Sequence, residues 1–371
     1  MPQILTINAG SSSVRFAIFS SGATPARLLD GKIERLDAEA VAATADRLAQ
    51  RLEAQSAIAV PDAIGHRVVH GMLHSQPERV SPTLLTELRS IASLDPEHLP
   101  REIELIEAMQ RHYPNVPQVA CFDTAFHRDM PVEATLLPIP RRYAAQAVQR
   151  YGFHGLSYTF LMQELRRLGD GAATRGRVIL AHLGSGASMA AVLNGRGVDT
   201  SMGFTPAAGL VMGTRSGDLD PGLASYLMLR ESMNAAQFQT MINEQSGLLG
   251  LSEISADVRD LLERETTDRR AREAIAIFCY QAKKWIGAYT AALGGLDTLV
   301  FAGGIGENAA AVRRRICEGL QCIGIEIDES RNVVHAACIS TGRVAVRVIR
   351  TDEESVIASL TARCLGISTE E

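Results

Sequence analysis

The stretch Ile4-Leu5-Thr6-Ile7-Asn8-Ala9-Gly10-Ser11-Ser12-Ser13-Val14-Arg15-Phe16-Ala17-Ile18-Phe19 reads as a strand, a tight glycine/serine turn and a second strand. The same pattern returns at Val178-Ile179-Leu180, His182-Leu183-Gly184-Ser185-Gly186-Ala187-Ser188 and Met189-Ala190-Ala191-Val192-Leu193. Glycine lets backbone amides crowd an anion, and serine adds hydroxyl donors without bulk. One such turn is also what an ordinary hairpin needs. Two of them facing one cleft describe a phosphate clamp built from both halves of a duplicated fold.

Working outward, Gly31–Glu34 reads as a third strand and an Ala/Leu-rich helix spans about 38 to 54. The β-branched run Ala63–His70 stops at Gly71. Ser81-Pro82 and Pro100 open two helices, proline being favoured in a first helical turn. Gln118–Phe122 is a strand ending at Asp123, and an apolar helix covers about 156 to 168. The strand-rich order resumes after about 176. A long helix of roughly 268 to 293 is closed by Gly294-Gly295. Then follow the strand Thr298–Ala302, a turn Gly303–Gly306, a helix from about 308, the strand Val344–Ile349 and a last helix opened by Thr351-Asp352-Glu353-Glu354. The expected class is α/β, with two duplicated ribonuclease-H-like domains and a cleft between them.

Composition narrows the possibilities. At 371 residues and 46% hydrophobic, the chain is long enough for two cores, and it has no apolar run of membrane length. A net charge of −5 with interspersed signs argues against a nucleic-acid surface. The start lacks a basic leader segment, and six scattered cysteines without a C-x-x-C pair read as reduced thiols of a cytoplasmic protein. Lys32, Lys283 and Lys284 are the only lysines, so an anion here is held mainly by arginine. No G-x-x-x-x-G-K-[ST] is present, which sets aside a P-loop enzyme.

Several groups of residues have chemical promise. Gly303-Gly304-Ile305-Gly306-Glu307-Asn308 sits between strand and helix, where bare amides suit a nucleotide, although a tight connection needs glycine too. Gly213-Thr214-Arg215-Ser216-Gly217-Asp218 places an arginine between two glycines, which suggests an anion contact. Asp218 and Asp220 read as structural, Asp220-Pro221-Gly222 having the form of a cap. His66, His70 and His74 tempt a metal reading, but strand side chains alternate faces and do not converge at that spacing. Arg67 and Val69 share a face at a strand end, and Asp123 ends another strand, where open α/β sheets place ligands. Thr351 with Glu354 three residues later matches a capping box, which would leave Glu353 free to face a metal.

Together these motifs resemble the acetate kinase family. The resemblance rests on Asn8–Ser13, Gly65–Gly71, Phe122–His127, Tyr151–Gly155, His182–Ser188, Asp199–Pro206, Gly213–Gly222, Phe301–Asn308 and Thr351–Glu354, in the family's order over nearly the whole chain. It implies an actin-like ATPase fold, a homodimer, and reversible Mg2+-dependent transfer from ATP to acetate giving acetyl phosphate. By matching position, Asn8 and Glu353 hold Mg2+, and Arg67 and Arg215 hold the substrate carboxylate. Val69, His98, Phe153 and Pro206 surround the acyl group. Asp123 is the position usually called acid or base, and His154 and Arg215 stabilise the transferring phosphoryl. ATP lies against Arg15, His182, Leu183, Gly184, Ser185, Gly186, Asp257, Val258, Arg259, Gly304, Ile305, Gly306, Glu307 and Asn308. Because Glu353 must meet Asn8 across one metal, the expected domains are 1–148 plus 352–371, carrying acyl and phosphate binding, and 149–351, carrying nucleotide binding and dimerisation.

The chain departs from the family pattern at Arg15, Met72, Glu97, Leu156, Tyr158, Ser185 and Ala187. Acetate, propionate or a slightly larger acid all fit the expectation, since one methylene is worth only about 1–3 kcal/mol of discrimination. A nucleotide-driven switch ATPase of the same fold explains the phosphate turns equally well. It does not explain two arginines with Phe153-His154 facing a small anion. A sugar kinase would want a more polar pocket than Val69, Phe153 and Pro206 provide. Finally, a carboxylic acid titrates near 4.3, as glutamate does, so the acceptor is already an anion at neutral pH. Asp123 is therefore expected to orient metal-bound water or a neighbouring arginine rather than to remove a proton.

Overall fold

Strand β1 (Gln3–Ala9) is buried from Ile4 to Ala9, as expected of a central strand covered on both faces. The computed structural model describes residues 1–10, 13–21, 25–34, 41–53, 60–96 and 98–367. Ser11 and Ser12 of the first turn, Glu97, and the two ends of the helix expected at 38 to 54 lie outside the described residues. In chain order, β1 is followed by β2 (Ser13–Ser20), β3 (Ala26–Glu34), α1 (Val41–Glu53), β4 (Ala63–Val68), β5 (Glu78–Arg79), α2 (Pro82–Ser90), α3 (Leu99–His112) and β6 (Gln118–Phe122). A 3-10 turn (Asp123–His127) and α4 (Gly155–Arg167) lead to β7 (Arg177–Leu183), β8 (Ala187–Leu193) and β9 (Arg196–Thr200). Then come α5 (Pro221–Arg230), α6 (Ala235–Glu244), α7 (Val258–Arg264), α8 (Arg269–Ala292), β10 (Thr298–Ala302), α9 (Gly303–Asn308), α10 (Ala310–Cys317), β11 (Ala345–Val348) and α11 (Glu353–Leu365).

The chain divides into two compact units. The first is Met1–Arg128 with Phe153–Phe160 and Asp352–Glu371, and the second is Asp129–Gly152 with Leu161–Thr351. Residues 129–148, assigned to the first domain from sequence, group with the second unit, and 153–160, assigned to the second, group with the first, as does the last helix.

Among the described residues each unit holds one sheet, and five strands of each share one topology, the short β5 being an extra antiparallel edge strand of the first. The first has strand order β3-β2-β1-β4-β6-β5, the second β11-β10-β7-β8-β9. In each, the opening hairpin is antiparallel (β1–β2, β7–β8), a third strand adds antiparallel, and two further strands add parallel on the other side. The fold is thus a duplicated ribonuclease-H-like α/β unit, and the two glycine/serine turns occupy equivalent places.

Strand alternation decides what each face of the first sheet carries. Leu5 and Ile7 point into a core with Phe16, Ile18, Leu48, Leu52, Leu105 and Met109, contributed in part by α1 and α3. Ile4 points the other way, against Ala358 and Ala362 of α11. On β6, Val119 and Cys121 pack against Val356 and Ile357 of α11. On β4, a Cβ at Gly65 would lie 2.2 Å from Thr361 Oγ1 and 2.6 Å from Ile357 Cγ2, so glycine is what lets α11 lie this close. Two residues further along the three strands are Arg67, Asp123 and, beyond Thr6, Asn8. All three side chains therefore emerge on the face that α11 covers.

Candidate active site

In the first unit, strand register brings the site residues side by side. Ile7 pairs His66 across β1 and β4, and Arg67 pairs Cys121 across β4 and β6. The carboxyl ends of three parallel strands thus deliver Asn8, Arg67 and Asp123 to one place. Arg67 Nε and Nη2 lie 2.8 and 2.6 Å from Asp123 Oδ2, and Nη1 donates to the Ala9 carbonyl at 3.0 Å. Asp123, fully buried, also accepts from the Leu156 amide in the first turn of α4, at 3.3 Å from Oδ1. Burial works against the charge of Arg67, but Asp123, Glu353 and Glu102 outweigh it and hold the guanidinium firmly protonated.

The start of α11 supplies two carboxyls. Asn8 Nδ2 donates to Glu353 Oε2 at 2.8 Å and to Glu354 Oε1 at 3.1 Å. The capping-box expectation is corrected here: Asp352 is the N-cap, accepting from the Ser355 amide at 3.1 Å, and Glu354 is buried on Asn8 instead of reaching back to Thr351. Asp352 and Thr351 are both good caps, and only the chain path settles between them. Burial raises the pKa of both carboxyls, with Asp123 adding to the rise of Glu353 and Glu353 to that of Glu354. Two carboxyls crowded beside an amide, Glu354 buried and Glu353 half-buried, suit a hard divalent cation such as Mg2+, which asks for one or two carboxylates and keeps water for the rest. Arg15 pairs with Asn8 across the opening hairpin, and its charge opposes the pKa rise of both glutamates.

The acyl-side residues are less uniform. Val69 is buried, one residue past the end of β4, and its amide donates to Glu102 Oε2 at 3.0 Å. His98 is buried, with Nδ1 2.9 Å from Asp95 Oδ1. Phe153 is buried with its ring 5.4 Å from that of His70, edge to face. The Phe153 carbonyl accepts from His127 Nε2 at 3.0 Å, and burial lowers the pKa of His127 to about 4, so that ring is neutral. The next residue, His154, has φ of 59°, a left-handed conformation that costs a non-glycine residue energy and is often found at functional positions. Met72 is likewise left-handed at φ 45°. His66, His70 and His74 do not converge: they bond Gln118, the Met72 amide and Glu78 respectively.

In the second unit, β7 and β10 are parallel neighbours with Ala302 opposite His182. The Gly184–Gly186 turn closes with Gly184 N to Gly186 O at 3.0 Å, and the Gly213 amide reaches Ser185 O at 2.9 Å. Gly184 lies beside the Gly304 amide, and Gly213 beside the Ala256 carbonyl next to Asp257. His182–Gly186, Gly304–Asn308 and the Asp257 segment are thus gathered at the carboxyl end of the second sheet. Asp257 caps α7 and binds Arg259 at 2.6 Å, while the Arg259 side chain is otherwise exposed. Asp220 caps α5 and Asp218 accepts from the Gly209 amide. Arg215 and Pro206 belong to this unit, Arg215 partly exposed and Pro206 buried.

The glycine turn after β10 is already helical, forming α9, with a second helix α10 from Ala310 in place of the single helix expected from 308. Glu307 Oε1 explains this. It accepts from Gly303 N at 3.0 Å and from Thr351 N at 3.1 Å, closing the first turn on itself. Arg313, fully buried, holds the Gly306 and Glu307 carbonyls. Gly303 has φ of 75°, and a Cβ there would meet the Leu183 carbonyl oxygen at 2.7 Å. Gly303→Ala is expected to cost roughly 1–3 kcal/mol of stability. It should also raise the KM for ATP about tenfold with little change for the second substrate, as initial-rate kinetics will read.

Glu102 was missed from sequence because an acid in a helix normally marks the solvent face. The signal was its place in the stripe Leu99, Glu102, Ile106, Met109, all buried. Burial, outweighing attraction to Arg67, raises its pKa to about 8 from an ordinary 4.5. The folded chain then holds a proton that the unfolded chain releases, so this group's contribution to stability is greatest below about pH 4.5 and falls until about pH 8. Glu102→Gln is expected to flatten that slope in melting temperature against pH.

The sequence profile of the Acetokinase family matches residues 35–359. An acetate kinase of Rhodopseudomonas palustris is 40% identical over 96% of both chains. An acetate kinase of Thermoanaerobacterium thermosaccharolyticum is 43% identical over 81% of this chain and 78% of that one. Among solved structures, acetate kinase from Porphyromonas gingivalis superposes with a TM-score of 0.86 at 33% identity, covering 98% of this chain and 100% of that one. A propionate kinase from Francisella tularensis gives 0.86 at 34% identity with the same coverage. This chain is a member of the acetokinase family, and thus a phosphotransferase.

Proposed function

We propose that the protein transfers the γ-phosphoryl of ATP, reversibly and in line, to the carboxylate of acetate or propionate, giving acyl phosphate and ADP. The observation that carries this reading is the cluster Asn8–Arg67–Asp123–Glu353–Glu354, buried at Asn8, Asp123 and Glu354 and half-buried at Arg67 and Glu353: a guanidinium gripping one oxygen of a buried carboxylate, beside an acidic pair suited to a divalent cation. An anionic acceptor and a polyanionic donor repel each other, so positive charge held in fixed geometry is the main catalytic need.

In this reading Arg67 holds the substrate carboxylate and Asp123 keeps the guanidinium turned toward it. Val69, His98, Phe153 and Pro206 enclose the acyl group. His154 and Arg215 stabilise charge on the transferring phosphoryl. Asn8 and Glu353 hold Mg2+, with Glu354 adjoining them on the Asn8 amide; the ion, when bound, neutralises charge on the phosphates. Arg15, His182–Gly186, Asp257–Arg259 and Gly304–Asn308 bind ATP. No side chain removes a proton from the acceptor, because a carboxylate has none to lose at neutral pH.

The enzyme is read as a cytoplasmic homodimer. Its six cysteines, none in a disulfide, suit a reducing compartment. No helix among the described residues is long and apolar enough to cross a membrane. Helix α5 carries Leu223, Tyr226, Leu227, Met228 and Leu229 yet buries none of them, and α6 buries no residue either. An apolar helix left this open on a single chain is what a second copy covers. Leu229→Asp is expected to shift the protein from dimer to monomer in analytical ultracentrifugation; an unchanged sedimentation coefficient would place the interface elsewhere.

Hydroxylamine trapping tests the activity itself. With ATP, Mg2+ and a panel of short carboxylates, acyl hydroxamate should form, most readily from acetate or propionate. ATP loss without hydroxamate would favour the nucleotide-driven switch.

A further inference from the structure

Glu102 is a buried acid beside Arg67 to which the phosphoryl-transfer roles give no task. Its side chain is 2% exposed, on the apolar face of α3, and Oε1 is buried without a hydrogen-bond partner. An acid in such a place is costly unless something is gained from it. Its Oε2 accepts from the Val69 amide at 3.0 Å. The ladder between β4 and β6 ends at Val68 opposite Phe122, so Val69 offers the first amide beyond the ladder, which would otherwise be an orphan donor in the interior. Val69 is two residues from Arg67, on the same face of the chain. His98 is the N-cap of α3, one helical turn before Glu102, so the same helix start carries both side chains.

We propose that Glu102 is a positioning residue that sets the acyl subsite, its carboxyl fastening the Val69 backbone to the start of α3, which carries His98, so that Arg67 and the acyl wall keep a fixed separation. This rests on the carboxylate-kinase reading given above. The charged groups facing Glu102 are Arg67 from β4, Asp123 from the 3-10 turn after β6, and Asp95, which is paired with His98 ahead of α3. Two of the three are acids, so the cluster tolerates Glu102 best with its proton on. Held neutral below about pH 8, the carboxyl accepts the Val69 amide through one oxygen and adds no charge. Ionised above that pH, it becomes another buried anion beside Arg67. It then competes with the substrate carboxylate for the same guanidinium. The consequence is a carboxylate affinity that weakens on the alkaline side while ATP affinity does not follow.

The experiment measures KM for acetate and for ATP by hydroxamate formation from about pH 6.5 to about pH 9.5, on either side of the raised Glu102 value of about 8. It compares wild type, Glu102→Gln and Glu102→Leu. In the wild type, KM for acetate should rise about tenfold across the alkaline half of that range, with KM for ATP within about twofold. Glu102→Gln copies the neutral acid, so it should match wild type near neutrality and lose the alkaline rise. Glu102→Leu should raise KM for acetate about tenfold at every pH and bring the propionate and acetate values closer together. Should the leucine variant fold poorly, the glutamine variant decides alone. An alkaline rise that persists unchanged in Glu102→Gln, or a wild type without one, overturns the role and leaves the kinase reading standing. Absence of hydroxamate from the wild type with every carboxylate overturns the kinase reading, and this role with it.

Discussion

Asp123→Asn should lower kcat/KM for the carboxylate by about 10² to 10³-fold, in keeping with the cost of breaking a buried charge pair. The carboxylate it replaces has no exposed surface, receives two nitrogens of Arg67 on one oxygen and the Leu156 amide on the other. Every one of these partners is a donor. Asparagine offers one acceptor oxygen, so its amide group must face either Arg67 or Leu156 donor to donor. Arg67 loses its fixed partner and with it the orientation that meets the substrate. The negative charge near Glu353 is lost as well, so half-saturation by Mg2+ should move to higher concentration. Were Asp123 a general base, the variant would lose rate while the KM for carboxylate and the Mg2+ requirement stayed put. Kinetics in both substrates and in metal separate the two.

Arg67→Lys should be nearly as damaging, with about 10²-fold lost in kcat/KM for the carboxylate and KM for ATP within about twofold. The charge survives, but the fork does not. Arg67 meets Asp123 with Nε and Nη2 while Nη1 holds the Ala9 carbonyl at the first phosphate turn. A lysine ammonium is a point charge on a flexible stem and cannot keep all three while facing a ligand. The melting temperature should fall too, because Asp123 stays buried with a weaker partner. Near-wild-type turnover in Arg67→Lys would mean that charge alone suffices and that planar recognition plays no part.

The duplicated fold was legible because its two hairpins carry the same alternation around the same glycine/serine turn, and both sheets repeat one strand order. Arg67 and Asp123 were legible as strand-end residues, because open α/β sheets leave the carboxyl ends of strands to ligands. The Asn8–Glu353 contact, whose partners stand 345 positions apart in the chain, came only from resemblance. Local propensity carries no information about such a pairing. Glu354 was misread for a related reason: the first turn of α11 offers Thr351 and Asp352 as rival caps, and local rules alone do not rank them. Glu307 was expected as part of a nucleotide loop. What its side chain does in the structure is tie Gly303 to Thr351, a tertiary bond no spacing rule could supply. Glu102 left a trace in the helical stripe, but charge outweighed position in the reading.

The central claim is that an anionic carboxylate oxygen attacks phosphorus directly, held by Arg67 with no proton removed. Acetate labelled with 18O on both oxygens tests it in one turnover experiment. Hydroxylamine attacks the acyl carbon of an acyl phosphate, so the bridging oxygen departs with the phosphate. The account predicts that inorganic phosphate released with hydroxamate carries one 18O, read as an isotope shift in its 31P resonance. Phosphate formed from ATP in the presence of labelled acetate but carrying no 18O would contradict it, because water would then be the acceptor.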